Sequence, residues 1–404
     1  MSRCANGREH VVVQKPYQLR KVRYALDLVV GMASKVVVIC TGQPGAGRDS
    51  YLQELGGKQD FFRYHLFDYI VEEGENEGYI LNKRNVLDFY DSKPDKLESF
   101  RARALKRIIE EIRERSGIHV VSTPYHFEWK GKSYSGLKED EVKTLDPDLF
   151  LVVTDDLSRV RESLRADPQW SEHNFTLVEL AQWRREEVTG VYKLSRGFTP
   201  YKEFYLVARE HGVGLLQDLI FSRHKRKIYL SHPITGESGD FFKSVSRFAS
   251  ALQPYYTVFD PYMIKDWEMV ETWRRVRNEA MKEGKEIPEK IKVSVEYADG
   301  PREYELDSWD IRAAIKNLRA QIIDIDYKII ESCYCVVAYH PREELSAGVV
   351  SEMIQAKGWA KFVYAFYPFE PSPFFEWYAT KIFLDEKRMV KFLKDTAEKN
   401  ASLS

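Results

Sequence analysis

Cysteine is scarce in this chain: four residues in 404, Cys4, Cys40, Cys333 and Cys335. Their spacing matches no zinc site and so few thiols make no disulfide framework, which predicts a reduced, intracellular protein. Net charge is equally lacking, because 61 Lys and Arg face 62 Asp and Glu and leave -1. A balanced surface excludes global attraction to nucleic acid. No apolar run approaches the ~20 residues that span a bilayer. The opening stretch Met1–His10 has no apolar core of a signal peptide. A cytoplasmic protein with no membrane and no nucleic-acid partner is expected, and neither internal repeats nor low-complexity tracts occur.

What is present is enough apolar material for real cores: 44% hydrophobic and 13% aromatic residues, in a length that suits two or three domains. Residues 1–34 read as a helical extension, with Val22, Leu26, Val29 and Val30 at helical spacing, able to pack on the adjoining domain or on a partner. From Val36 the pattern becomes short apolar runs (36–39, 118–121, 149–153) alternating with helical stretches (96–115, 177–193). That alternation predicts a mostly parallel sheet over residues 35–221. The basic run Ser222–Lys227 reads as a linker or a small nucleic-acid contact. A second α/β pattern then covers 227–404, with strands at 228–231, 256–259, up to Tyr339, and 361–367. Within it, 262–306 is a long insertion, charged and helical at first. It closes in a hairpin whose arms, Lys292–Tyr297 and Arg302–Leu306, flank an Asp-Gly turn. Such an insertion could cap a site or build an oligomer contact, and its Trp267, Trp273 and neighbouring Trp309 could stack on a base or simply pack.

Two stretches carry chemistry. The first is Gly42-Gln-Pro-Gly45-Ala-Gly47-Arg48-Asp49-Ser50, placed between a strand and a helix. Its glycine spacing is that of a phosphate loop, but Arg48 stands where Lys is usual and Asp49 where a magnesium-holding Ser or Thr is usual. Arg can fork onto phosphate, whereas Asp49 repels it unless a cation intervenes. With Val120–His126, Asp146–Val153 and the Arg161/Arg165 stretch, this half resembles the adenylate kinase-like nucleotide kinases. The resemblance implies a P-loop domain binding nucleotide phosphates through Gly42, Gly45, Gly47, Arg48, Asp49 and Ser50, with ATP and magnesium as its cofactors. The family's Asp-Thr-His signature is replaced by Ser122-Thr123-Pro124.

The second is Ser346-x-Gly348-x-x-x-Glu352, opening a helix after a strand, taken with Tyr229 on an earlier strand and Asp326 on the preceding helix. By itself Glu352 is an acid favoured by a helix N-terminus. The set resembles the nucleoside 2-deoxyribosyltransferase superfamily, which includes the 2'-deoxynucleoside 5'-monophosphate N-glycosidases. The resemblance implies a Rossmann-like, flavodoxin-like domain without cofactor or metal, and Glu352 as a nucleophile that traps the sugar. Tyr229 would position it and Asp326 would protonate the leaving base. It also implies substrate contacts from Ser346, Gly348, His232, Thr235, Gly236 and Asp260, and a homo-oligomer. Serine at 346 suits a 5'-phosphate, since it donates without repelling the anion, while Pro233 and Thr235 replace a further Ser and Arg of the monophosphate enzymes. Cleavage or transfer of the N-glycosidic bond of a nucleotide or nucleoside is therefore the leading expectation, with a nucleotide sensor or an Arg-based kinase as alternatives.

Overall fold

The computed structural model describes residues 35–130 and 132–401; the helix expected over 17–32 and Cys4 lie outside them. In chain order the first half runs β1 (Val36–Thr41), α1 (Arg48–Gly56), β2 (Phe62–His65), α2 (Leu66–Asn76), α3 (Val86–Ser92) and α4 (Pro94–Glu114). It continues with β3 (Ile118–Ser122), a small hairpin β4 (His126–Trp129) and β5 (Lys132–Ser135), α5 (Glu139–Leu145), β6 (Leu149–Thr154) and α6 (Leu157–Ala166). It ends with α7 (Leu177–Arg196), β7 (Glu203–Ala208) and α8 (Gly212–Phe221). The second half comprises β8 (Arg226–Ser231), α9 (Gly239–Leu252), β9 (Tyr256–Phe259), α10 (Asp266–Glu283), β10 (Lys290–Tyr297), β11 (Gly300–Asp307) and α11 (Ser308–Ser332). It closes with β12 (Cys335–Tyr339), α12 (Ala347–Gly358), β13 (Phe362–Phe366), α13 (Pro373–Tyr378), β14 (Lys381–Phe383) and α14 (Glu386–Ala401).

The fold is α/β, with two five-stranded sheets whose neighbouring strands all pair in parallel. The first is ordered β2-β3-β1-β6-β7 and the second β14-β13-β12-β8-β9. With only its own five strands numbered in chain order, the second sheet is ordered 2-1-3-4-5, a flavodoxin-like arrangement. Its strand order reverses between β8 and β12, so a crevice opens at the carboxyl ends of those two strands. Of the strands that flank it, β12 is buried throughout, as its continuous apolar run requires, and β8 is buried beyond its first residue. Cys333 is the C-cap of α11, and Cys335 opens β12. Cys40, Cys333 and Cys335 are buried free thiols.

The two sheets belong to one physical body, because side chains of both halves join a common hydrophobic core. Polar ties reinforce it. Asp266, at the start of α10, accepts from the Leu157 N–H at 2.8 Å and from Arg184 Nη1 at 2.5 Å. Asp310, in the first turn of α11, accepts from the Leu177 N–H at 2.9 Å and from Arg161 Nη1 at 2.8 Å. Each acid of the second half thus satisfies the first free N–H of a helix in the other half and neutralises one of that half's arginines. The insertion therefore braces the two halves. Its Trp273 is buried, while Trp309 just beyond it is 61% exposed. The basic run before β8 is also consumed internally. Lys225 Nζ reaches Asp218 and the Gln253 carbonyl, Lys227 Nζ the Arg223 carbonyl, and Arg226 lies over the Tyr334 ring. Among the described residues no helix is long and apolar enough to cross a membrane.

Candidate active site

Tyr229 and Ser231 stand two residues apart on β8, so both side chains leave the same face of the sheet. Glu352 lies on the second turn of α12, the helix that follows β12 across the switch point. Its Oε1 accepts from the Tyr229 hydroxyl at 2.9 Å and its Oε2 from the Ser231 hydroxyl. Protein surrounds the carboxylate except where it meets a cavity of about 660 Å3, which it lines together with Asp326 and Ser346. Burial pushes the Glu352 carboxyl up to about 7, against the opposing hydrogen bonds of Ser231 and Tyr229 and the charge of His232. Asp326 is pushed well above the usual carboxylate range by burial and then by the Glu352 charge. Two carboxyls so close cannot both ionise near neutrality. The Glu352 charge raises Asp326, so Asp326 holds its proton the more firmly of the two. Tyr229 is held as a neutral phenol by burial and by both acids.

Behind this pair sits His232. Its Nε2 lies 2.9 Å from Asp260 Oδ1 and its Nδ1 2.9 Å from the Pro233 carbonyl. Both neighbours are acceptors, so both ring nitrogens must donate and the imidazole is a cation. Burial opposes that charge, but the Asp260 carboxylate outweighs it and raises the His232 pKa. Asp260 also accepts from the Tyr262 N–H at 2.9 Å. Its carboxylate is thus spent on His232 and a turn, and it is absent from the cavity lining, as is Gly236. Gly236 serves the backbone, with φ +77° and open space around it. His232, Thr235, Ser346 and Gly348 do line the cavity.

The loop from β12 to α12 is pinned by His340. Its Nδ1 lies 3.0 Å from the Arg342 carbonyl and its Nε2 accepts the Ser346 N–H at 3.0 Å. That pattern needs a neutral ring, and burial lowers the His340 pKa accordingly. The Ser346 hydroxyl makes no cap hydrogen bond, and the first N–H of the helix to find an internal acceptor is that of Val350. Hydroxyl and helix N-terminus therefore remain available at the cavity edge. The rest of the wall is mixed. Ile234, Ile264, Trp267 and Leu345 supply apolar surface, Lys265, Arg319 and Arg342 cations, and Arg184 reaches it from α7 in the other half. Ser231, His340, Arg342 and Arg184 were not singled out from sequence. Only Ser231 had a local signal, its two-residue offset from Tyr229.

The glycine loop lies between β1 and α1, as the spacing predicts. Gly42 has φ +152°, and a Cβ there would meet the Val153 carbonyl oxygen at 2.4 Å, so only glycine fits. Gly45 and Gly47 also have positive φ. Arg48 is engaged internally, pairing with Asp49 at 2.8 Å and reaching the Gly42 carbonyl at 3.5 Å. Asp49 further accepts from Ser122 Oγ at 2.8 Å, with Arg63 at 3.4 Å and His65 at 3.6 Å. Burial opposes its charge, yet Arg48 and the other cations hold its carboxyl far below the usual range. The backbone cradle suits phosphate, and Ser50 is exposed beside it. The residues do not fit a magnesium-dependent transfer, since the one acid at the metal position is already neutralised by its own neighbours. Glu187, 1% exposed, accepts the Gly42 and Tyr125 N–H groups at 2.8 Å and ties α7 to the loop. Among the described residues no cluster of three or more His, Cys, Asp or Glu could hold a metal ion.

No protein-family model and no curated protein matches the chain. Solved structures that resemble it include TT1252 from Thermus thermophilus, at 14% identity over 43% of this chain and 88% of that one, with a TM-score of 0.28. Shikimate kinase from Bacteroides thetaiotaomicron aligns at 14% identity over 46% of this chain and 97% of its own, with a TM-score of 0.31. Phosphoglycerate kinase from Coxiella burnetii aligns at 9% identity over 93% and 97%, with a TM-score of 0.20. Similarity at these scores is too low to carry fold or function, and the two-sheet α/β architecture rests on the strand order itself.

Proposed function

We propose that the chain breaks the N-glycosidic bond of a nucleoside or nucleotide, most simply a deoxynucleoside 5'-monophosphate, at Glu352. What supports the reading is two carboxyls lining a single cavity at the switch point, Glu352 with its oxygens oriented by two hydroxyls and Asp326 with its carboxyl pushed well up by burial and by the Glu352 charge. Chemistry at an anomeric carbon needs this division of labour, a nucleophile on one side and a proton donor for the departing base on the other. In the first step Glu352 bonds to C1', the C1'–N bond breaks, and the Asp326 proton goes to the base. In the second, water attacks C1' and gives a proton to Asp326, and the bond to Glu352 breaks; an incoming base in place of water gives transfer. Tyr229 and Ser231 hold the Glu352 oxygens in place, and the His232–Asp260 pair behind them favours the anion. Free base should appear on incubation with a panel of nucleotides and nucleosides, followed by chromatography. No base from any of them, or undiminished release by Glu352→Ala, sinks the proposal.

A second reading concerns the glycine loop: nucleotide binding without turnover. The backbone geometry of Gly42, Gly45 and Gly47 favours it, and the internal Arg48–Asp49 pair argues against phosphoryl transfer. Saturable binding of ATP independent of magnesium, with no phosphate transferred to any nucleoside monophosphate, is the expected result. Magnesium-dependent transfer abolished by Arg48→Ala would restore the kinase.

A further inference from the structure

Two loops meet at the rim of the cavity, one from β8 and one from β12, and a single ion pair joins them. Arg342 Nη2 lies 2.5 Å from Glu237 Oε2; the Arg342 side chain is 49% exposed and that of Glu237 only 2%. Both residues line the cavity beside Ser346 and Gly348. A buried carboxylate held by one half-exposed guanidinium is an unbalanced pair. The acid has lost its water and depends on Arg342, while Arg342 could serve another anion at little cost. Burial, opposed by the charges of Arg342 and His232, already raises the Glu237 carboxyl. The same cavity is lined by Ser346, whose hydroxyl makes no cap hydrogen bond, and by the start of α12, whose first N–H groups have no acceptor within the helix. An arginine fork, a hydroxyl donor and a helix N-terminus together suit a phosphate monoester.

We propose that Arg342 and Glu237 form an exchange pair that selects substrates bearing a 5'-phosphate: the phosphate takes Arg342 and Ser346, and Glu237 releases its guanidinium. The inference rests on the nucleotide reading above and assigns the residues that distinguish a monophosphate from a nucleoside. A phosphate brings about -1.5 to -2 charges at pH 7. Beside an ionised Glu237 it would be repelled, so the acid takes a proton on release, in the direction burial already favours. A nucleoside offers only a 5'-hydroxyl and leaves the ion pair closed. Glu237 also neutralises Arg342 in the empty site, so inorganic phosphate competes poorly, lacking the sugar and base contacts that compensate for opening the pair.

The test is made in a Glu352→Gln background, where nothing turns over, by calorimetric titration with deoxynucleoside 5'-monophosphates, the matching deoxynucleosides and inorganic phosphate. The quantity read is the ratio of monophosphate to nucleoside affinity. Arg342→Gln should lower that ratio about tenfold or more, the worth of a charge-assisted contact. Glu237→Gln should raise the ratio and strengthen inorganic phosphate binding. Opposite shifts from two neighbouring substitutions cannot come from loss of fold. A ratio unmoved by both variants overturns the proposal, as does a background protein that binds no monophosphate. If the ratio shifts as expected while the native chain frees no base, the phosphate seat stands and the glycosidic reading alone fails.

Discussion

Replacing Glu352 by Gln should abolish base release yet make the protein more stable at alkaline pH. Its carboxyl is raised by burial from 4.5 to about 7 in the folded chain. The folded state then binds this proton more tightly than the unfolded state. The group's favourable contribution is complete below about pH 4.5 and is lost as the pH rises through about 7. At about 1.4 kcal/mol per pKa unit the full penalty is about 3 kcal/mol; contact with an open cavity reduces it to roughly 1–2 kcal/mol. Glutamine carries no charge to desolvate and none to oppose Asp326, and its amide can still exchange hydrogen bonds with the hydroxyls of Tyr229 and Ser231. A unit of this size melts with an entropy near 2.1 cal/mol/K per residue, so the gain corresponds to about 1–2 °C in Tm. Thermal unfolding of both proteins at pH 5 and pH 8.5 provides the assay. The variant should match the native chain at pH 5 and exceed it at pH 8.5. A variant less stable at pH 8.5 would show Glu352 to be an ordinary structural acid, and the case for a strained nucleophile would fall.

Asp326→Asn should slow base release by about 10^2–10^4-fold and remove the alkaline limb of the pH–rate profile. Substrates whose base leaves without protonation should lose much less, and an equal loss for both would contradict the acid role. Tyr229→Phe deletes a hydrogen bond that favours ionised Glu352, so the acid limb should move to higher pH, by on the order of half a unit; an unmoved limb would mean that the phenol does not act through Glu352. Arg184→Ala leaves the buried Asp266 carboxylate without its cation. A loss of about 3–5 kcal/mol in urea unfolding is expected, with weaker ligand binding in the cavity; a loss confined to the first half, with binding intact, would refute a shared cavity wall.

The strand that precedes each site is legible because it is buried on both faces, and continuous runs such as Val36–Ile39 and Cys335–Tyr339 have no other use. Strand β2, Phe62–His65, escapes such a reading. It is a four-residue edge strand with only Tyr64 buried, so its sequence shows no apolar run. The β10–β11 hairpin is the opposite case. Its alternation is strict and its turn places Tyr297 opposite Gly300, as the Asp-Gly step predicts.

Sites are harder, because chemistry depends on what a side chain has already given away. Asp260 and His232 look like ligand residues in sequence, but each has the other as partner. Asp49 looks like a charge that repels phosphate, yet Arg48, Arg63 and His65 gather around it and cancel it. Glu352 differs, since among the described residues its hydrogen-bond partners are neutral hydroxyls and no cation is paired with it. That contrast also explains why the louder motif is the weaker candidate. A carboxylate already neutralised by guanidinium has little reactivity to offer. One buried beside a second acid, with hydroxyls fixing both oxygens, is held at a free energy that bonding to an electron-poor carbon would lower. Arg184, which reaches the cavity from α7, comes from distant sequence and leaves no local trace, while Arg342 sits on the loop just before α12 but pairs with Glu237 far away in the chain. Arg184 owes its place to Asp266, and residues 227–404 alone would lack that cation in the cavity wall.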